Sequence, residues 1–259
     1  MHRARKRFGQ NFLVDPTIIQ SLVSAISPRK TDNILEIGPG LGALTKPLLS
    51  KVDRLEVVEL DRDLIEQLKQ LNSQEKTVIV HQDDALKFDF TDPANPRRIV
   101  GNLPYNISTP LIFHLLDQLP SIIDMHFMLQ KEVVSRICAP SGSRNFGRLS
   151  AMVQSKCVAQ QLIDVPANSF SPAPKVTSAF VRLTPHEQRL FPPELEKTFK
   201  VVVQKCFSQP RKTLSNNLKD TISHDEMTMI GIDPSIRPQQ LTLDNLVALS
   251  KIHKNTPYN

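Results

Sequence analysis

The segment LEIGPGLGALT (residues 35–45) constrains the fold of this chain more than any other stretch. An apolar run ends in three glycines at alternate positions, Gly38, Gly40 and Gly42, and helix-forming residues follow. Glycine accepts the left-handed backbone that a sharp turn demands and lets a ligand approach the main chain closely. A strand that turns this way into a helix belongs to an α/β sheet. The spacing is GxGxG with Pro39 inside, not the GxGxxG of nicotinamide-binding turns, which disfavours a nicotinamide oxidoreductase. No Gly-Lys-Ser/Thr follows, so it is not a P-loop.

The alternation continues downstream. Strand-like runs lie at 33–38, 54–60, 77–82, 97–103 and 123–129, separated by helical periodicity at 41–50, 61–71 and 110–116. Asp15 and Pro16 supply an N-cap and first-turn proline for an earlier helix. An open, mostly parallel sheet is expected. Beyond residue 130 the texture changes. Residues 131–137 read as a helix and 139–147 as a loop, while 156–165 and 175–183 read as strands able to pair antiparallel. A proline-bearing linker at 184–194 precedes helical periodicity from Leu195 onwards. The expected organisation is a Rossmann-like catalytic domain over 1–184, with a basic arm at 1–14, and a small all-helical domain over 195–259.

Composition narrows the function classes. The chain of 259 residues carries a net charge of +6, concentrated in two clusters. One holds Arg5, Lys6 and Arg7, the other Lys205, Arg211 and Lys212, a footprint suited to a phosphate backbone. Three widely spaced cysteines without CxxC spacing predict reduced thiols in a cytoplasmic protein and no metal site. No apolar run reaches the roughly 18 residues that a membrane span needs, and no apolar stretch follows the cationic start as in a secretory signal.

Chemistry-bearing residues fall at the carboxyl ends of successive strands, where open α/β sheets bind ligands. Glu59 in VVELD (57–61) is placed to accept bonds from ribose hydroxyls, while Asp61 caps the next helix. Asp84 in HQDDAL (81–86) is placed to accept from an adenine amino group. In GNLPYNIS (101–108), Pro104 stops the strand and leaves Asn102 and Tyr105 at its end. NLPY here resembles the motif of methyltransferases that act on exocyclic nitrogens. The Asn102 side-chain oxygen and the Leu103 carbonyl would accept the two N–H bonds of the amine and stabilise its developing charge. Pro104 would stiffen the turn, and Tyr105 would offer a stacking face for an unstacked base. Direct displacement from a sulfonium needs positioning rather than a covalent nucleophile, consistent with the lack of a His or Cys constellation.

Taken together, RKRFGQNFL (5–13), LEIGPGLGALT, VVELD, GNLPYNIS, FMLQKEV (127–133), SFSPAPKVTSAFVRL (169–183) and the tail GIDPSIRPQQLTLDNLVAL (231–249) resemble the bacterial small-subunit ribosomal RNA adenine N6,N6-dimethyltransferase family. The resemblance implies S-adenosylmethionine as methyl donor. It implies that Gln10, Asn11 and Leu13 line the donor's methionine end, with Glu36, Gly38 and Gly40 beside it. Glu59 would hold the ribose, Asp84 and the Ala85 backbone the adenine, and Asn102 would border both ligands. Leu103, Pro104 and Tyr105 would hold the target base, with Phe170 on its other face. The implied reaction is dimethylation of two adjacent adenosines in the 3′-terminal hairpin of 16S rRNA in the immature small subunit, by a monomer whose basic clusters contact rRNA phosphates. Large-subunit rRNA methylation of the antibiotic-resistance type and a mainly non-catalytic assembly checkpoint are the competing readings.

Overall fold

A computed structural model of the protein describes residues 11–255. A two-residue strand, β1 (Phe12–Leu13), leads into α1 (Pro16–Ile26). Oδ1 of Asp15 accepts backbone N–H bonds from Thr17 at 2.9 Å and Ile18 at 3.2 Å, satisfying two donors that a helix start leaves open. Strands and helices then alternate as predicted: β2 (Ile34–Ile37), α2 (Thr45–Leu49), β3 (Arg54–Glu59), α3 (Arg62–Lys69), β4 (Thr77–Gln82), β5 (Arg97–Asn102), α4 (Ser108–Leu116) and β6 (Ile122–Gln130). The helix expected over 41–50 is shorter than the periodicity suggests. Gly40 and Gly42 adopt φ of +57° and +82°, which a right-handed helix cannot include, so α2 starts only at Thr45.

Two further helices, α5 (Lys131–Ile137) and α6 (Arg148–Gln154), precede β7 (Cys157–Val165), β8 (Phe170–Ser171) and β9 (Ser178–Pro185). Among the described residues the main sheet has seven strands, in the order β4-β3-β2-β5-β6-β9-β7. Pairing is parallel from β4 through β6, and β9 lies antiparallel on β6. The chain steps outward from β2 to β4 and then returns to the other side of β2 as β5. That reversal opens a crevice beyond the carboxyl ends of β2 and β5. Separately, β1 and β8 pair antiparallel, with Leu13 opposite Phe170. Leu22, Ile26, Leu48, Leu55, Val100 and Phe180 belong to the core that covers the sheet.

At the amino-terminal edge of the sheet a single guanidinium gathers several segments. Arg98 of β5 pairs with Asp32 at 2.6 Å and with Asp124 of β6 at 3.0 Å. It also donates to the Ile26 carbonyl at 2.7 Å, closing an orphan acceptor at the end of α1. Breaking such a largely buried network by removing one partner leaves charges uncompensated.

The described chain divides into two compact units, residues 11–134 with 159–185, and residues 135–158 with 186–255. This differs from the division expected from periodicity, which assigned 135–158 to the sheet-bearing domain. Those residues instead pack with the later helices α7 (Glu196–Cys206), α8 (Leu214–Leu218), α9 (His224–Met229) and α10 (Leu243–Asn255). Lys156 pairs with Glu196 at 2.6 Å, the Phe146 and Phe207 rings meet edge to face, and Ser141 Oγ donates to the Leu241 carbonyl at 2.6 Å. Phe199, Val202, Cys206, Leu214 and Leu246 form the buried side of this unit. Cys157 and Cys206 are buried thiols. No helix among the described residues is long and apolar enough to cross a membrane.

A Cβ at Gly101 would lie 2.8 Å from the Ile37 carbonyl oxygen and 2.9 Å from Leu103 Cδ2. Gly101→Ala is expected to lose roughly 1–3 kcal/mol of stability through this overpacking, read as a lower urea midpoint at unchanged slope.

Candidate active site

A cavity of about 280 Å³ occupies the crevice, lined by residues of the first unit alone. Its floor is the glycine turn. Gly38 donates to the Val58 carbonyl at 2.9 Å and Gly42 to that of Pro39 at 2.9 Å, which folds the turn back on β3. At Gly40 a Cβ would sit 3.1 Å from the Phe12 ring, so the bare backbone is what allows β1 to close over the turn.

Glu59 ends β3 at the cavity wall. Its Oε2 accepts from Gly40 N–H at 3.3 Å and its Oε1 from Asp61 N–H at 2.8 Å. A carboxylate has about four acceptor positions, so capacity remains for a ligand hydroxyl. Burial raises the Glu59 pKa above the ordinary carboxylate value, and the N–H groups of Asp61, Gly40 and Leu60 pull it back down. Asp61 does cap α3, through Oδ1 to the Asp63 N–H at 3.2 Å.

Glu36, two residues before Gly38, is only 2% exposed. Burial pushes its carboxyl up to about 8, the nearby Thr45 hydroxyl lowers it, and Glu59 raises it further. Neither Glu36 Oε2 nor Thr45 Oγ1 reaches full hydrogen-bond geometry, and of the two only Glu36 lines the cavity.

The other walls follow β4 and β5. Asp84 Oδ1 accepts from Leu86 N–H at 3.0 Å, the bond that holds this turn, and Ala85 is buried beneath it. Asn102 closes β5 beside Met128 of β6, and Leu103 N–H donates to the Met128 carbonyl at 3.2 Å. Asn102 Nδ2 donates to the Asn11 carbonyl at 3.1 Å, which leaves Oδ1 as the acceptor of this cavity-lining side chain. Pro104 opens a turn closed by its carbonyl accepting from Ile107 N–H at 3.1 Å. The Tyr105 phenol is half-buried, its pKa raised by burial and lowered by Ser178 at 2.7 Å.

The cavity therefore gathers Asn11 and Leu13, then Glu36, Gly38 and Gly40, then Glu59, Asp84 and Ala85, and finally Asn102, Leu103, Pro104 and Tyr105. Phe170 is not among its lining residues. Paired in β8, it belongs to the buried core with Leu13, Met128 and Phe180. Gln10, Arg5, Lys6 and Arg7 lie outside the described residues. In the second unit Arg211 and Lys212 are exposed, whereas Lys205 is half-buried with Nζ bonded to Thr221 Oγ1 at 3.0 Å. Sequence reasoning missed Leu60, 49% exposed at the cavity wall. The available signal was an apolar side chain directly after a strand-end acid, where a plain solvent turn favours polar residues.

Comparison with solved structures fits this geometry. A dimethyladenosine transferase from Plasmodium falciparum aligns with a TM-score of 0.76 at 26% identity, covering 92% of this chain and 95% of that one. The 23S rRNA methyltransferase ErmE aligns with a TM-score of 0.75 at 22% identity over 95% of this chain and 100% of its own, a likeness of fold. The sheet order and its crevice are those of a Rossmann-like methyltransferase. The profile of a family described as Ribosomal RNA adenine dimethylase matches residues 1–254, and the chain belongs to that family. It is 49% identical over 249 residues to the Ribosomal RNA small subunit methyltransferase A of Dechloromonas aromatica (strain RCB), covering 96% of this chain and 97% of that protein. The protein of the same name from Laribacter hongkongensis (strain HLHK9) is 50% identical over 254 residues, 97% of each chain.

Glu36 makes stability depend on pH. The folded state holds its proton up to about pH 8, while the unfolded carboxyl releases it near 4.5, so native protein binds more protons in between. Stability from this group is complete below pH 4.5 and is lost as pH rises through 8. Glu36→Gln is expected to remove that loss. Its stability relative to the parent should climb between about pH 4.5 and 8 and then level off, by a few kcal/mol at most in denaturant titrations.

Proposed function

We propose that this protein transfers methyl groups from S-adenosylmethionine to N6 of two adjacent adenosines near the 3′ end of small-subunit rRNA, two to each, during subunit assembly. The observation that carries the reading is the Asn102 amide, whose Nδ2 is committed to Asn11 and whose Oδ1 remains as an acceptor at the cavity. A primary exocyclic amine offers two N–H donors, and Asn102 Oδ1 with the Leu103 carbonyl would receive them. Held there, the nitrogen lone pair is drawn out of conjugation with the ring and turned towards the donor. The same acceptors stabilise positive charge as it develops on nitrogen.

The residues fit a nucleoside sulfonium. When bound, the donor supplies an electrophilic methyl group on sulfur. Glu59 keeps acceptor capacity for a ribose hydroxyl, and Asp84 keeps Oδ2 beyond the bond that holds its turn. Leu60 and Leu86 provide apolar surface for a flat base. The unpartnered Glu36 Oε2 would face the donor's methionine end, where a cationic ligand would return the buried carboxyl to its ionised form. Asn11 and Leu13 would complete that end, with Gln10 next to them in sequence. Phe170 lies in the core opposite Leu13, and its ring would have to turn to meet the base directly.

The exposed pair Arg211 and Lys212, with the basic arm Arg5, Lys6 and Arg7 and the partly engaged Lys205, would contact rRNA phosphates. The high identity to small-subunit enzymes favours that substrate over the large subunit.

The reading is tested with labelled donor on undermethylated small and large subunits, the product nucleosides being resolved by mass spectrometry. Dimethyladenosine is expected in the small subunit alone, and Asn102→Ala should slow transfer by roughly a hundredfold or more. Label in the large subunit would move the protein to the other rRNA, and binding without transfer to either would favour an assembly role. Replacing Arg211 and Lys212 by Ala should weaken subunit binding and flatten its dependence on log salt by about 0.7–0.9 per lost phosphate contact.

A further inference from the structure

A stacking platform needs an aromatic face, and phenylalanine provides one. The hydroxyl of Tyr105 therefore needs a separate reason. It lies 2.7 Å from Ser178 Oγ. Ser178 is fully buried at the start of β9, opposite Gln130 of β6. The residue before it is fixed as well, since the Thr177 carbonyl accepts from Lys131 N–H at 3.0 Å. The anchor thus belongs to the sheet, whereas Tyr105 sits in the turn between β5 and α4. One hydrogen bond ties the tip of a loop aromatic to a rigid strand.

We propose that Ser178 is a positioning residue that holds the Tyr105 ring against the target base, and that this bond governs the second methyl transfer more than the first. The inference rests on the reading that Asn102 and Leu103 accept the two N–H bonds of the adenine amine. In the first transfer the N6 lone pair forms the bond to the methyl carbon. The carbon–sulfur bond breaks with its electron pair remaining on sulfur as a thioether, and N6 then releases a proton to solvent. The product has one N–H where the substrate had two. The second transfer makes and breaks the same bonds and releases the last proton, but the base enters it with one acceptor bond fewer and a methyl group to accommodate. Orientation then depends more heavily on the ring face. An unanchored tyrosine samples other side-chain torsions, and the base tilts with it.

The test uses single-turnover transfer to undermethylated small subunits, with N6-monomethyladenosine and N6,N6-dimethyladenosine measured separately. In Ser178→Ala both transfers slow, and the ratio of second to first rate is expected to fall roughly fivefold, the scale of one neutral hydrogen bond. Tyr105→Phe removes the same bond and should accumulate the same monomethyl product, and the double variant should do so no further. A spectroscopic reading accompanies this. The chain has two tyrosines and no tryptophan, so phenol ionisation is visible in the ultraviolet. Because Ser178 lowers the Tyr105 pKa against burial, Ser178→Ala should move that titration to higher pH. Equal slowing of both transfers, or additive effects in the double variant, would overturn the proposal. If Ser178→Ala does not fold, Tyr105→Phe decides the question by its product ratio. Asn102→Ala separates the two readings. Its retention of activity would remove the base-holding reading and this proposal together, whereas its inactivity with an unchanged ratio in Tyr105→Phe would remove this proposal alone.

Discussion

Strands β2 and β5 lie side by side at Gly101 only because that residue has no side chain to strike the Ile37 carbonyl. Much of the site depends on this close approach. It sets the register in which Ile37 faces Gly101, and one residue further the two strands part into the glycine turn and Asn102. A cavity appears where two neighbouring parallel strands send their following loops to opposite faces, and here the reversal in strand order does that. The glycine turn then closes onto β3 through Glu59, so three consecutive strand ends share one wall.

The two edges of the sheet are held by different physics. At the amino-terminal edge, Arg98 is surrounded by formal negative charge and a helix-end carbonyl, an arrangement with little freedom and no evident ligand role. At the carboxyl edge, the acids are held by main-chain N–H groups and retain acceptor capacity. A carboxylate bonded to backbone keeps its place without a cation to neutralise it. Glu36 is different, a buried acid whose Oε2 has no hydrogen-bond partner. Its burial keeps the carboxyl protonated up to about pH 8.

Legibility in the sequence followed physical range. Local chemistry was readable. The Asp15 cap, the strand stop at Pro104 and the acids after β3 and β4 are each decided by neighbours a few residues away. The seven-strand order was foreseen only in class, because periodicity reports which face of an element is buried and not what buries it. For that reason residues 135–158 read as part of the sheet-bearing domain, although Phe146 and Lys156 find their partners at Phe207 and Glu196. The strands β1 and β8 are two residues each, too short for any alternation to register. Their pairing is also what turns Phe170 into the core, a placement that its sequence neighbours do not disclose.

That small ladder has a consequence for biosynthesis. The acceptor oxygen of Asn102 is oriented by the Asn11 carbonyl, and Asn11 adjoins β1, which is secured by Leu13 pairing with Phe170. A polypeptide leaving the ribosome from its amino terminus has made the glycine turn, the acids and NLPY long before it makes residue 170. Until then the first strand lacks the pairing partner it has in the folded chain. An enzyme that modifies ribosomal RNA would therefore pair its first strand only late in its emergence from a ribosome.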